Sequence, residues 1–124
     1  MIGQHVRPYS AALRPVQAGL MPSPWFTALV HGPSMSPTLR HGDAILVRRG
    51  GRGVAPGDVV VARFLSRPDL LVVKRVVRRV ESGWWLVGDN ELVVDDSRAY
   101  GVAEVLGRVV LRWWPRPGLV ARPR

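Results

Sequence analysis

From residue 25 onward, glycine and proline cut the chain into short apolar runs: 25–30, 44–48, 59–65, 70–80, 84–87 and 105–114. The breakers between them include Gly32-Pro33, Gly42-Asp43, the glycines from Gly50 to Gly57, Pro68, Gly83, Gly88 and Gly101. None of these runs keeps an apolar residue at helical spacing long enough to cover a helix face, and several are rich in valine. Such a pattern specifies strands joined by tight turns, so the chain reads as mostly β with little helix. Residues 1–24 show no clear period, with prolines at 8, 15, 22 and 24, and read as an arm with one helical turn over 10–14. Residues 25–115 form the domain. Residues 116–124 read as a mobile basic tail.

With 124 residues and 47% hydrophobic content, the chain can build one domain with a modest core. Cysteine is absent, which excludes disulfides, cysteine nucleophiles and thiolate-held metals and fits a reducing, cytoplasmic setting. No apolar run reaches the ~18 residues of a membrane span. The net charge of +9 favours acidic partners in general. Yet the arginines are spread along the chain rather than gathered on one helix, and no nucleic-acid partner is expected.

Among the 18 basic residues, 17 are arginine and one is lysine. Lys74 lies inside the valine-rich run 70–80 and shares a strand face with Val72 and Val76. Two readings fit this position. The stem can pack while the ammonium reaches water, or the amine can be held neutral among apolar neighbours, which lower its pKa. Lysine can lose its proton in such surroundings and arginine effectively cannot. The corner Gly32-Pro33-Ser34-Met35-Ser36-Pro37 offers the complementary group. Backbone breakers on both sides let the Ser34 hydroxyl stand clear of the flanking strands. A serine at a corner and a lysine in apolar surroundings together suggest a hydrolase in which lysine is the general base.

Other chemistries are weaker. A triad of Ser34 with His31 or His41 and Asp43 requires a histidine to reach a hydroxyl across its own turn. Three scattered histidines without ligand spacing do not suggest a metal site. A basic β domain that binds RNA through Arg48, Arg49, Arg52 and the tryptophans is the non-enzymatic alternative.

With both residues placed, the pattern resembles type I signal peptidases and their relatives, serine/lysine endopeptidases on a mostly β fold shared with self-cleaving SOS-type repressors. The residues carrying it run from 32 to 39, then Gly42-Asp43, Gly57-Asp58, residues 73–77 around Lys74, Gly88-Asp89-Asn90, and Asp96-Ser97-Arg98 with Tyr100-Gly101. The resemblance covers residues 25–112. It implies Ser34 as nucleophile, Lys74 as general base and the Ser34 N–H as an oxyanion donor. It further implies a substrate pocket of Val30, Met35, Leu39, Val72 and Val73, and a supporting set of Gly88, Asp89, Asn90, Asp96 and Arg98. No cofactor or metal is implied. The chain departs from the pattern in two places: Gly32 stands where some relatives have a serine two before the nucleophile, and Val94 where many have a lysine-bonding serine. The short form and the run 83–90 are similar to the subgroup that matures nickel-containing superoxide dismutase. The partner so implied is a protein with an N-terminal leader. A signal peptidase acting at a membrane surface is the alternative within the class.

Overall fold

A computed structural model describes residues 5–8 and 23–120. Its strands are β1 (His5–Pro8), β2 (Trp25–His31), β3 (Ala44–Arg49), β4 (Val59–Phe64), β5 (Arg67–Val80), β6 (Gly83–Val87), β7 (Ala103–Trp114) and β8 (Gly118–Leu119). One helical turn, α1 (Ser97–Tyr100), interrupts them. The fold is mostly antiparallel β, as the spacing of breakers predicts.

The strands pair in the order β1-β2-β3-β7-β4-β5-β6, and β1 returns to β5 through His5 and Val72. Six strands thus close into a barrel, and β6 extends outward beside β5. Closure leaves two apolar faces to bury. Inside, each barrel strand contributes to one cluster: Val6, Ala28, Val30, Ile45, Val47, Val59, Val61, Val73 and Val109, with Met35 and Leu39 from the serine turn. Outside, the alternate residues Val60, Ala62, Val72 and Val76 of β4 and β5 join Phe64, Leu86 and Ala103 in a second cluster. Strand β4 and the middle of β5, from Val72 to Val76, are therefore covered on both faces, which is why their valine runs hardly alternate with polar residues. Lys74, paired with Val60, lies on the outer face between Val72 and Val76.

Three local details differ from the sequence reading. Strand β1 lies within the segment read as an arm. Its pairing runs Val6 to Val30 and Arg7 to Leu29, but four residues ending in proline are too few to show an alternation. Strand β8 lies within the tail and pairs through Leu119 and Gly118 with β7, a backbone contact with no side-chain pattern to betray it. Strand β5 begins at Arg67 and so includes Pro68, where a turn was expected. The β4–β5 ladder shifts register between Ala62 and Phe64, and a proline without its N–H is tolerated at such an irregularity. The helical turn expected over 10–14 lies outside the described residues.

Candidate active site

Strand β2 ends at His31, and Gly32 turns the chain with φ +90, a conformation that glycine alone enters without strain. Pro33 and Ser34 follow. The turn is then tightened by two bonds, from the Ser36 N–H to the Pro33 carbonyl (3.0 Å) and from the Leu39 N–H to the Met35 carbonyl (2.9 Å). Met35 and Leu39 point into the barrel core and anchor the loop by burial. Ser34 is left facing the outer side of β5. There Lys74 Nζ lies 2.8 Å from Ser34 Oγ, and both residues are fully buried.

Burial sets the chemistry of the amine. Lys74 is lowered from 10.5 to about 8, mainly because desolvation penalises the ammonium; the negative charges of Asp96 and Asp95 work against the shift and Arg98 works with it. At pH 7 about one molecule in ten then holds a neutral amine, whose lone pair can accept the Ser34 proton. Of the two readings of Lys74, the buried amine is the one the fold realises.

The lysine's neighbours are ordered from the 88–98 segment. Asp96, fully buried, accepts hydrogen bonds from the Gly88 N–H (3.0 Å), the Arg98 N–H (3.1 Å) and the Arg98 guanidinium (2.9 and 2.7 Å). Burial alone raises this carboxyl, but the Arg98 and backbone bonds outweigh it and hold the group below its ordinary range. Asp96 also caps α1, and from there its charge reaches Lys74. Val94, at the position of the relatives' serine, is exposed.

Asp89 ties together sequence-distant parts of the site. It accepts a bidentate pair from Arg75 (2.8 and 2.7 Å) and a bond from the Thr38 hydroxyl. Arg75 adds a third bond to the Gly57 carbonyl (2.7 Å). One carboxylate thus links the serine loop, the residue after Lys74 and the Gly57-Asp58 turn. Burial raises Asp89, and the Arg75 and Thr38 bonds overcome it. Thr38 and Arg75 were not singled out from sequence, although both sit inside the motifs quoted there. Asn90 completes the clamp: its N–H donates to the Ser34 carbonyl (2.8 Å) and its side chain to the Pro33 carbonyl (3.0 Å).

Gly88 is required by close approach. A Cβ there would lie 2.6 Å from the Ser34 carbonyl oxygen and 3.3 Å from Ser34 Cβ. We expect Gly88→Ala to push the serine turn off its lysine, lowering kcat at least about tenfold and stability by about 1–3 kcal/mol. Steady-state kinetics and a thermal melt check this; a variant normal in both would show that the contact yields freely.

The residues named as a substrate pocket are all buried. Val30, Met35, Leu39 and Val73 belong to the barrel cluster, and Val72 to the outer one. Of the histidines in the alternative triad, His41 is engaged at the entry to the turn. His41 Nδ1 accepts from the Gly32 N–H (3.1 Å). Asp43 accepts from the Arg40 N–H (2.8 Å) and pairs with Arg112 at 3.7 Å. The basic group within hydrogen-bond distance of Ser34 Oγ is thus the Lys74 amine. Among the described residues no group of three metal-ligating side chains converges.

The chain is similar to known peptidases. The family model for peptidase S24-like proteins matches residues 6–110. Mitochondrial inner membrane protease subunit 1 of Xenopus tropicalis is 34% identical over 110 residues, covering 68% of this chain and 66% of the relative. The Homo sapiens protein of that name is 31% identical with the same coverage. Mitochondrial ATP-independent inner membrane protease subunit 1a of Arabidopsis thaliana is 34% identical over 119 residues, covering 72% of this chain and 70% of the relative. The chain thus spans just under two thirds of the length of the animal relatives. The family match runs from β1 to near the end of β7 and contains both Ser34 and Lys74, and the chain belongs to the peptidase S24-like family.

Proposed function

We propose that this chain is a serine endopeptidase that removes a short N-terminal segment from a protein substrate. The observation that carries the proposal is the 2.8 Å approach of a buried, pKa-lowered Lys74 amine to Ser34 Oγ. In the reaction, neutral Lys74 takes the Ser34 proton as Oγ attacks the scissile carbonyl. The Ser34 N–H donates to the developing oxyanion, as the family resemblance implies. The lysine ammonium returns its proton to the departing amine, leaving an ester on Ser34. Lys74 then activates a water that hydrolyses this ester, which releases the N-terminal segment as its carboxylic acid and restores the serine.

Of the residues the resemblance implies, Val72, on the outer face with Lys74, is proposed to wall the pocket for the residue before the cut, with Val30, Met35, Leu39 and Val73 packed behind it in the barrel interior. Packed apolar walls leave room for small side chains and none for charged ones. The specific substrate proposed is the leader of a nickel-containing superoxide dismutase, in the cytoplasm; this rests on the likeness of residues 71–75 and 83–90 to the proteases of that pathway. Co-expression with a leader-bearing dismutase, followed by N-terminal sequencing of the product, tests it. Cleavage after a small residue is expected, and a cut after arginine or an aromatic residue would contradict the pocket.

One observation favours a second reading, cleavage at a membrane surface. Trp113, Trp114 and Leu119 are exposed, and Trp114 pairs with Ala44 at the barrel end that carries the serine turn. On the same strand Arg112 donates to the Thr38 carbonyl (3.3 Å). Aromatic and arginine side chains suit a lipid interface, and the relatives' names place them at an inner membrane. Among the described residues no helix is long and apolar enough to cross a membrane. Under this reading, fractionation of the same cells finds the protein and its product with the membranes.

A further inference from the structure

The serine turn is held from two sides. On the downstream side, Asn90 grips the Pro33 and Ser34 carbonyls. On the upstream side, the Gly32 N–H donates to Nδ1 of His41 at 3.1 Å. Pro33 has no N–H to add to this hold, so the bond at Gly32 sets the direction in which the chain enters the turn.

The backbone fixes where His41 stands. The Gly42 N–H donates to the Val30 carbonyl (2.8 Å), and the Val30 N–H to the Asp43 carbonyl (2.9 Å). The Asp43 carboxylate accepts from the Arg40 N–H (2.8 Å). The imidazole meets the His31 ring edge-on, with centroids 5.3 Å apart and planes at 76°. His41 is exposed, so protons from solvent reach it.

We infer that His41 is a positioning residue, whose unprotonated Nδ1 holds Gly32 so that the Ser34 hydroxyl faces Lys74, and that this hold is released when the imidazole is protonated. A neutral imidazole can accept at Nδ1, whereas an imidazolium carries donors on both nitrogens. Protonation therefore sets an N–H against the Gly32 N–H and turns an anchor into a repulsion. The charged and titratable groups around His41 are His31 on β2, Arg40 and Asp43 of its own turn, and Arg112 on β7, which pairs with Asp43. On β1, His5 is the register partner of His31. The effect on catalysis rests on Ser34 being the nucleophile; the hold on Gly32 does not.

Two substitutions separate the acceptor from the ring. His41→Asn keeps an acceptor oxygen near the Nδ1 position and cannot be protonated. His41→Phe keeps a flat ring against His31 and loses the acceptor. His41→Phe is expected to lower kcat about tenfold with KM little changed, and His41→Asn to stay within about twofold of wild type. In the wild-type protein, log kcat/KM falls with unit slope below the Lys74 value of about 8 and steepens where the His41 ring is protonated. Both His41 variants should keep unit slope throughout, while His31→Phe should keep the steepening. The inference is overturned by a His41→Phe variant with wild-type kcat, by His41→Asn as slow as His41→Phe, or by a steepening that persists without His41 or disappears with His31.

A readout independent of cleavage distinguishes this inference from the peptidase reading. In the Ser34→Ala protein, the Gly32 amide resonance should move on acidification with the midpoint of the His41 ring protons, and should not move when His41→Phe is added. If that occurs while the unmodified protein cleaves no peptide, the peptidase reading fails and the hold on Gly32 stands. A Gly32 amide indifferent to the His41 titration would refute the hold itself.

Discussion

Ser34→Ala lowers peptide cleavage at least about a thousandfold, because the reaction proposed here passes through an ester on Ser34 Oγ. The fold should survive. Ser34 is fully buried, but alanine removes one hydroxyl without adding volume, and the turn keeps its backbone bonds to Asn90 and His41. The Lys74 amine loses a partner, which matters less when it is neutral. Circular dichroism and a melting curve beside the rate establish both halves. An alanine variant that cleaves at the wild-type rate would remove Ser34 from the chemistry, whatever its place in the fold.

Lys74→Arg and Lys74→Met are each expected to lose at least about a thousandfold in rate, for different reasons. The guanidinium stays protonated at every working pH, and methionine has no basic atom. Their stabilities should diverge. Folding lowers Lys74 from 10.5 to about 8, so between these values the unfolded chain binds more protons than the folded one. Stability from this group therefore rises with pH across that window, and below pH 8 the folded state carries the whole cost, about 3 kcal/mol. Lys74→Met removes that cost, so the variant should be more stable than wild type near neutral pH, with an advantage that shrinks from pH 8 towards 10.5. Lys74→Arg should be less stable, since a larger permanent cation must fit a fully buried position. Chemical denaturation at several pH values separates the two.

Much of this site is legible in the chain. Breakers at Gly32, Pro33 and Pro37 mark the corner, and alternation along β5 puts Lys74 on a face with Val72 and Val76. What alternation does not reveal is that Val73 is buried as well, since one strand's pattern does not show that β5 lies between the barrel interior and a second apolar layer. Nor does it show barrel closure, which depends on a short pairing between His5 and Val72 far apart in sequence. Asp96 with Arg98 is readable because the two are neighbours. Asp89 is not: its role depends on Thr38 and Arg75, which only the folded chain brings to one carboxylate. The place of His41 is hidden for the same reason. Its link to Gly32 exists because Gly42 folds the turn back onto the end of β2; the sequence shows glycines at 32 and 42, but not the positive φ each adopts or the bond that results.

Catalysis as proposed requires a neutral Lys74 amine to take the Ser34 proton. The cleavage rates of the wild-type and Lys74→Arg proteins from pH 6 to 10, on one peptide substrate, test it most directly. Wild-type kcat/KM should climb to a plateau above about pH 8, while the arginine variant stays near background at every pH. An arginine variant with near-normal activity, following the wild-type profile, would contradict it.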